Sequence, residues 1–131
     1  MSGKNNVELV QELYRCFREK DDAGFKRICS DDIEWIQNPG FPNGATYIGA
    51  AAIVEQVFNA NRGIWDGFSY RIDEILDAGD SVVVLGRYEG RHNISGKHMI
   101  ASAAHVYDLQ GGKVRRFRMF ADTKSIWDAM A

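Results

Sequence analysis

Few side chains in this sequence can do chemistry near neutral pH, and they are scattered. There are three histidines, His92, His98 and His105, and two cysteines, Cys16 and Cys29. His92 and His98 flank a predicted turn with no acid joining them, so the three histidines lack metal-site spacing and no metal is expected. The cysteines form no CxxC and no Cys/His cluster, so reduced thiols in a cytoplasmic setting are the expectation. The glycines show no GxGxxG order and no Walker lysine, which removes a phosphate loop, and no cofactor is expected. His105 is the best candidate for proton chemistry, because imidazole changes charge near neutral pH. Tyr14 and Asn38 are candidate hydrogen-bonding groups. Each has a plainer reading: His105 as a buried histidine bonded to Tyr14 or a backbone carbonyl, Tyr14 as a helix-core aromatic, Asn38 as a residue shaping the turn before Pro39.

The elements that must position these residues follow from hydrophobic spacing. Val7, Val10, Leu13, Tyr14 and Phe17 recur at helical spacing over 6–20, with Asn5 or Asn6 as the cap. A short helix is predicted over 23–29, with Phe25, Ile28 and Cys29 facing in, and a strand over 33–37 that stops at Asn38-Pro39-Gly40. Residues 39–46 read as a loop. Ile53, Val54, Val57 and Phe58 stripe a third helix over 50–61, and 62–67 reads as a turn carrying Trp65. Strands are then predicted over 68–76, 81–92, 98–109 and 114–121, joined by glycine-bearing turns. Asp122 or Thr123 caps a last helix that contains Ile126, Trp127 and Met130. Helices first and an antiparallel meander afterwards make an α+β domain, and such long strands twist and curl.

Composition sets the outer limits. The chain has 131 residues, 45% hydrophobic and 26% charged, which fits one domain over 1–131 with residues 1–5 flexible. A net charge of −2 gives no pull toward nucleic acid or anionic lipid. No apolar run approaches the roughly 20 residues of a membrane span, and the polar N-terminus has no signal-peptide core. Arg115, Arg116 and Arg118 make one strand basic, but Asp108, Asp122 and other acids balance it, so a solvated or subunit-facing edge is read there.

Four segments together resemble a known family. Val7-Glu8-Leu9-Val10 through Phe17 is similar to its opening helix, and Cys29-Ser30-Asp31-Asp32-Ile33-Glu34-Trp35 to its entry into the first strand. Tyr47-Ile48-Gly49 with Ala52-Ile53 is similar to its third-helix start. Ala104-His105-Val106-Tyr107, Gly111-Gly112-Lys113-Val114 and Arg116-Phe117-Arg118 to Asp122-Thr123 are similar to its ending. The chain resembles the SnoaL-like and ketosteroid-isomerase-like proteins of the nuclear-transport-factor-two superfamily. The resemblance covers nearly the whole chain and is specific for fold. It says little of function, because the superfamily hosts isomerases, hydrolases, cyclases and non-catalytic adaptors.

The resemblance implies a curved sheet wrapped around the N-terminal helices as a cone, a pocket inside it, and a homodimer through the outer sheet face. It turns Met99, Ala101, Ala103, His105 and Tyr107 inward, with Val84, Gly86, Tyr88 and His92 on one neighbouring strand and Phe117, Met119 and Ala121 on the other. Ala101, Ala103 and Gly86 are then expected to leave the cone partly hollow. Phe17, Phe58, Trp65, Tyr88, Ala101, Ala103, Phe117 and Met119 are the expected ligand-binding wall, and His105, Tyr14 and Asn38 the expected catalytic set. The best-known catalytic slots are not kept. The base before the proline is Asn38, which takes no proton at neutral pH. The oxyanion-hole tyrosine falls on Leu13, one residue from Tyr14, and its protonated aspartate falls near His105. The acid–base chain of the limonene-epoxide-hydrolase type falls on Tyr88, Gly86 and Met119. Binding of a small apolar or polycyclic ligand, with acid–base turnover as an option, is the leading expectation. A protein-association module acting through Val106, Arg116, Arg118 and Phe120 on the outer face is the alternative.

Overall fold

In a computed structural model that describes residues 5–131, helices cover one face of a curved six-stranded sheet that does not close into a barrel. The expected α+β cone is present. The flexibility expected of residues 1–5 falls, apart from Asn5, outside the described residues, and Asn5 itself is a helix cap. Its side chain accepts from the Glu8 amide at 2.8 Å while Glu8 Oε1 accepts from the Asn5 amide at 3.1 Å, a reciprocal capping box that starts α1, Asn6–Glu19. Lys20, which the periodicity includes in the helix, ends it instead in the left-handed conformation. α2 is Asp22–Ile28, capped by Asp21.

β1, Cys29–Ile36, begins four residues before the predicted strand. Cys29 is buried, as its helical placement expects, but it is extended and pairs with Val114. The predicted loop also hides a short strand, β2, Thr46–Ile48, which pairs with β1. The third helix is longer than its apolar stripe. It runs through α3, Ala50–Ile53, a single π-helical turn, Val54–Phe58, and α4, Asn59–Ile64. No turn carries Trp65. β3, Trp65–Ala78, starts at that residue, pairs it with His92, and absorbs the break in a bulge at which Gly67 has φ +65°. Burying the indole, which is 2% exposed against His92, favours strand over turn there.

β4, Ser81–His92, β5, His98–Gln110, and β6, Lys113–Ala121, complete the sheet, and α5, Thr123–Met130, closes the chain behind an Asp122 cap. The sheet order is β2-β1-β6-β5-β4-β3. The meander β3 to β6 is antiparallel as predicted. β1, separated from β6 by the whole meander, pairs with it in parallel, so the sheet is mixed. Among the described residues no helix is long and apolar enough to cross a membrane. Cys16 and Cys29 are both buried and neither forms a disulfide.

The predicted inward sets of β4, β5 and β6 do face the core: Val84, Tyr88, Met99, Ala101, Ala103, His105, Tyr107, Phe117 and Met119 are all buried. The small residues do not leave the space expected of them. Tyr70 of β3 lies across Gly86 of β4 and its hydroxyl donates to the Ala103 carbonyl of β5 at 2.8 Å. A Cβ on Gly86 would sit 2.9 Å from the Tyr70 ring and collide with the Arg71 carbonyl. The glycine is required first by the close approach of the Arg71 backbone carbonyl and then by the Tyr70 ring from the next strand. Gly86→Ala is therefore expected to lower stability by about 1–3 kcal/mol, measured by urea unfolding. An unchanged midpoint and slope would show that Tyr70 is not locked over this strand.

Candidate functional site

The cone narrows onto one imidazole. His105 of β5 is 4% exposed, and both ring nitrogens are taken by tyrosines from opposite sides. Tyr14 Oη of α1 lies 2.6 Å from Nδ1, and Tyr88 Oη of β4 lies 2.7 Å from Nε2. Tyr88 also donates to the Met119 thioether of β6 at 3.0 Å. Each phenol meets one ring nitrogen, and the Tyr14 hydroxyl also hydrogen-bonds that of Tyr107, so the neutral imidazole takes one donor and one acceptor from a linked row of phenols. Tyr70 stacks on the imidazole with ring centres 4.1 Å apart, and Phe117 meets it edge-on at 4.9 Å. With no acid beside it, burial pushes the His105 pKa down from 6.5 to about 3. Burial likewise pushes the Tyr14 and Tyr88 hydroxyls well above the usual phenol range. At neutral pH the imidazole and both phenols are uncharged.

A cavity of about 40 Å³ lies against this group. That is room for roughly two or three waters, much less than the hollow cone the small residues lead one to expect. Its lining contains no charged side chain among the described residues. Tyr14, His105, Tyr88, Tyr107 and Phe117 line the deep side; Trp35, Val57 and Phe58 line the flank. Phe17, Phe68 and Tyr70, which are only partly buried, line the rim. Arg62 braces that rim, with its guanidinium 5.6 Å from the Phe17 ring centre and 5.8 Å from that of Phe58.

Two amides complete the wall. Gln37 is 3% exposed and accepts from Trp35 Nε1 at 3.0 Å. Asn61 is 5% exposed and lines the cavity. Asn61 follows the π turn, whose single extra residue shifts the helix register just before it.

The structure brings together six of the sequence-predicted site residues, His105, Tyr14, Phe17, Phe58, Tyr88 and Phe117. Five lie outside the cavity lining. Asn38 uses Oδ1 to accept from the Gly40 amide, so it builds the turn. Trp65 packs against His92, 5.2 Å between ring centres. Ala101 and Ala103 are covered by neighbouring side chains, and Met119 reaches the site only through Tyr88. His98, read as having no acid near it, lies 3.1 Å from Glu89 on the exposed sheet surface. Sequence reasoning missed Gln37, Asn61 and Tyr70. Gln37 continues the inward alternation of Ile33 and Trp35, Asn61 follows Phe58 at helical spacing, and Tyr70 pairs with Tyr88.

The helix-covered curved sheet is an arrangement shared with known proteins. The SnoaL-like domain model matches residues 10–117. The chain belongs to the SnoaL-like domain family. A search of the curated proteins finds no match. Among solved structures, this SnoaL-like chain is similar to an NTF2-like protein from Burkholderia thailandensis, with 34% identity, 98% of each chain covered and a TM-score of 0.93. It is also similar to TerC co-crystallised with polyporic acid, with 27% identity, 95% of this chain and 97% of that one covered, and a TM-score of 0.83. An NTF2-like protein from Burkholderia xenovorans, 24% identical over 100% of this chain and 99% of that one with a TM-score of 0.87, shares the fold.

The buried imidazole makes this SnoaL-like domain acid-sensitive. Its folded pKa of about 3 lies below the ordinary 6.5, so the unfolded chain binds the extra proton first. The stability it contributes is complete above about pH 6.5 and is lost as pH falls toward 3, by up to about 1.4 kcal/mol per pH unit. His105→Gln should flatten that slope in urea titrations between pH 6.5 and 4. An equal slope in both proteins would mean that His105 is not held neutral.

Proposed function

We propose that the chain binds a small, uncharged, largely apolar molecule in the aromatic cavity, with the Asn61 amide meeting its one polar group. The uncharged, mostly aromatic lining, which Asn61 joins, carries this reading. An ion has no counter-charge in the lining, and desolvating it there is prohibitive, so the neutral form of any ligand is selected. The cavity takes a molecule of a few atoms as it stands. A ligand with a ring needs Phe17 and Phe68, both only partly buried at the rim, to shift outward. A solved relative co-crystallised with polyporic acid supports an organic molecule as the occupant. Phenol is a suitable probe, with benzoate as its charged counterpart. Wild-type protein is expected to bind phenol and not benzoate in calorimetric titration. Asn61→Leu should weaken phenol roughly tenfold, the equivalent of about 1.4 kcal/mol. Equal binding of benzoate, or an Asn61→Leu protein as tight as wild type, would count against the assignment.

The outer sheet face supports a second role, pairing of two copies. Strand register places Leu85, Ala104 and Phe120 in one row and Val83, Val106 and Arg118 in the next, with Ile100 nearby. Phe120 is 54% and Ile100 53% exposed, which makes this apolar row a candidate for cover by a second copy. Asp108, bonded to Arg116 at 2.8 Å and to Ser81 at 2.7 Å, borders it with a polar rim. The protein should sediment as a dimer and Phe120→Glu as a folded monomer. A monomeric wild type at micromolar concentration would remove this role.

A further inference from the structure

Arg62 is not part of the cavity lining, yet it ties together two elements that meet at the cavity rim. It belongs to α4, and its guanidinium lies over Phe17 of α1 and Phe58 of the π turn. Those two rings meet edge-on, 5.2 Å between centres, and both line the cavity. We propose that Arg62 is the latch of the cavity mouth: a ligand enters between α1 and α4 once the guanidinium lets go of α1, and that release sets the rate of entry. This inference rests on the binding reading above and names how the same site opens.

The contacts of Arg62 divide into a close hold on its own helix and a looser hold across the gap. Nη1 donates to Asn59 Oδ1 at 3.0 Å, three residues back in α4. Across the gap, Nη2 reaches the Phe17 carbonyl at 3.4 Å, and Nη1 stands 3.8 Å from Asp22 Oδ1 of α2. Both contacts are long for their kind. The Phe17 carbonyl also accepts from the Lys20 amide at 3.3 Å where α1 ends, so it keeps a partner when Arg62 leaves. The Asp22 carboxylate is partly exposed, and water takes the place of the guanidinium there. Opening therefore leaves no buried polar group unpaired. What keeps the latch shut is charge: a cation beside the negative end of α1, a nearby carboxylate and two ring faces.

The size of the cavity makes such an opening necessary. About 40 Å³ admits a ring only after Phe17 and Phe68 shift outward. Phe17 is clamped twice by one side chain: its ring lies under the guanidinium, and its carbonyl accepts from it. Release of Arg62 frees the ring that stands in the way. The deep wall is untouched, because Tyr14 and Tyr88 keep their bonds to His105. The latch also has a signature of its own. An uncharged ligand feels no electrostatic steering, so salt leaves its encounter rate alone. Salt does screen the partly exposed charges that hold Arg62 in place. Entry of a neutral ligand should therefore quicken as salt rises.

The test follows phenol binding to the full chain by NMR titration, with association and dissociation rates taken from line shapes. Arg62→Met keeps an apolar stem over the rings and removes the charge. It is expected to take up phenol about tenfold faster than wild type, with affinity no weaker. Asp22→Asn should raise the association rate in the same direction, by about threefold. Raising salt from about 0.05 to about 1 M should speed uptake by wild type and leave Arg62→Met unchanged. A brace that only holds the rings in place gives the opposite split: an unchanged association rate, faster loss of phenol and weaker affinity. That split, or a wild-type association rate indifferent to salt, overturns the latch and leaves the binding reading standing. If urea unfolding shows that Arg62→Met does not fold, Asp22→Asn and the wild-type salt series decide in the same way. No binding of phenol overturns both.

Discussion

An imidazole buried among aromatic rings has to remain neutral and has to satisfy both of its nitrogens. The inside of this cone is arranged around meeting those conditions at once. A neutral imidazole needs one donor and one acceptor, on opposite sides of the ring. Tyr14 arrives from α1 and Tyr88 from the neighbouring β4, at 2.6 and 2.7 Å. The phenols in turn stay protonated because they are buried with no base stronger than the imidazole. Remove any one of the three and a desolvated polar atom is left without a partner, which costs more than the net gain of an ordinary hydrogen bond. This helix-to-sheet polar bridge, with the Asn6 side chain donating to the Gly79 carbonyl at the β3–β4 turn, helps fix where α1 lies over the strands.

The same requirement explains the small residues. Gly86 and Ala103 are not there to leave room for a ligand. They let Tyr70 lie flat across two strands and stack on His105 at 4.1 Å. Volume removed at one position is refilled by a larger side chain from the next strand, as close packing demands. What remains empty is about 40 Å³, at the place where the aromatic rings give way to the Asn61 and Gln37 amides.

This contrast marks how far the residues alone could be read. Two-residue alternation correctly turned His105, Tyr88 and Phe117 inward, because alternation depends only on the pleat. Element ends were less legible. Cys29 scans as the end of an apolar helical stripe, yet pairing with Val114 makes it a strand residue. Trp65 sits beside Gly63 and Gly67, which reads as a turn, while a bulge lets the strand continue through it. Asn38 carries the right type and position for a site residue, but the turn at Gly40 claims its oxygen. Asn61 follows Phe58 at helical spacing, but an amide does not register in an apolar stripe.

Strand alternation also separates the two surfaces this fold offers. On β5, His105 points into the cone while Ala104 and Val106 on either side of it point outward, beside Phe120 and Arg118 of β6. Substitution on the outer face can therefore change association without reaching the imidazole, and substitution inside can change chemistry without disturbing the outer row. A family that keeps the strands and varies the two faces independently acquires different ligands and different partners on one framework. In this chain the inward face has lost the carboxylates that the resemblance associates with proton transfer, and an uncharged imidazole between two phenols stands in the same region. The consequence is a site whose polarity comes from neutral hydrogen bonds alone. Under the proposed binding role, such a site discriminates by donor and acceptor position and by the cost of bringing charge inside, rather than by attraction to an ion.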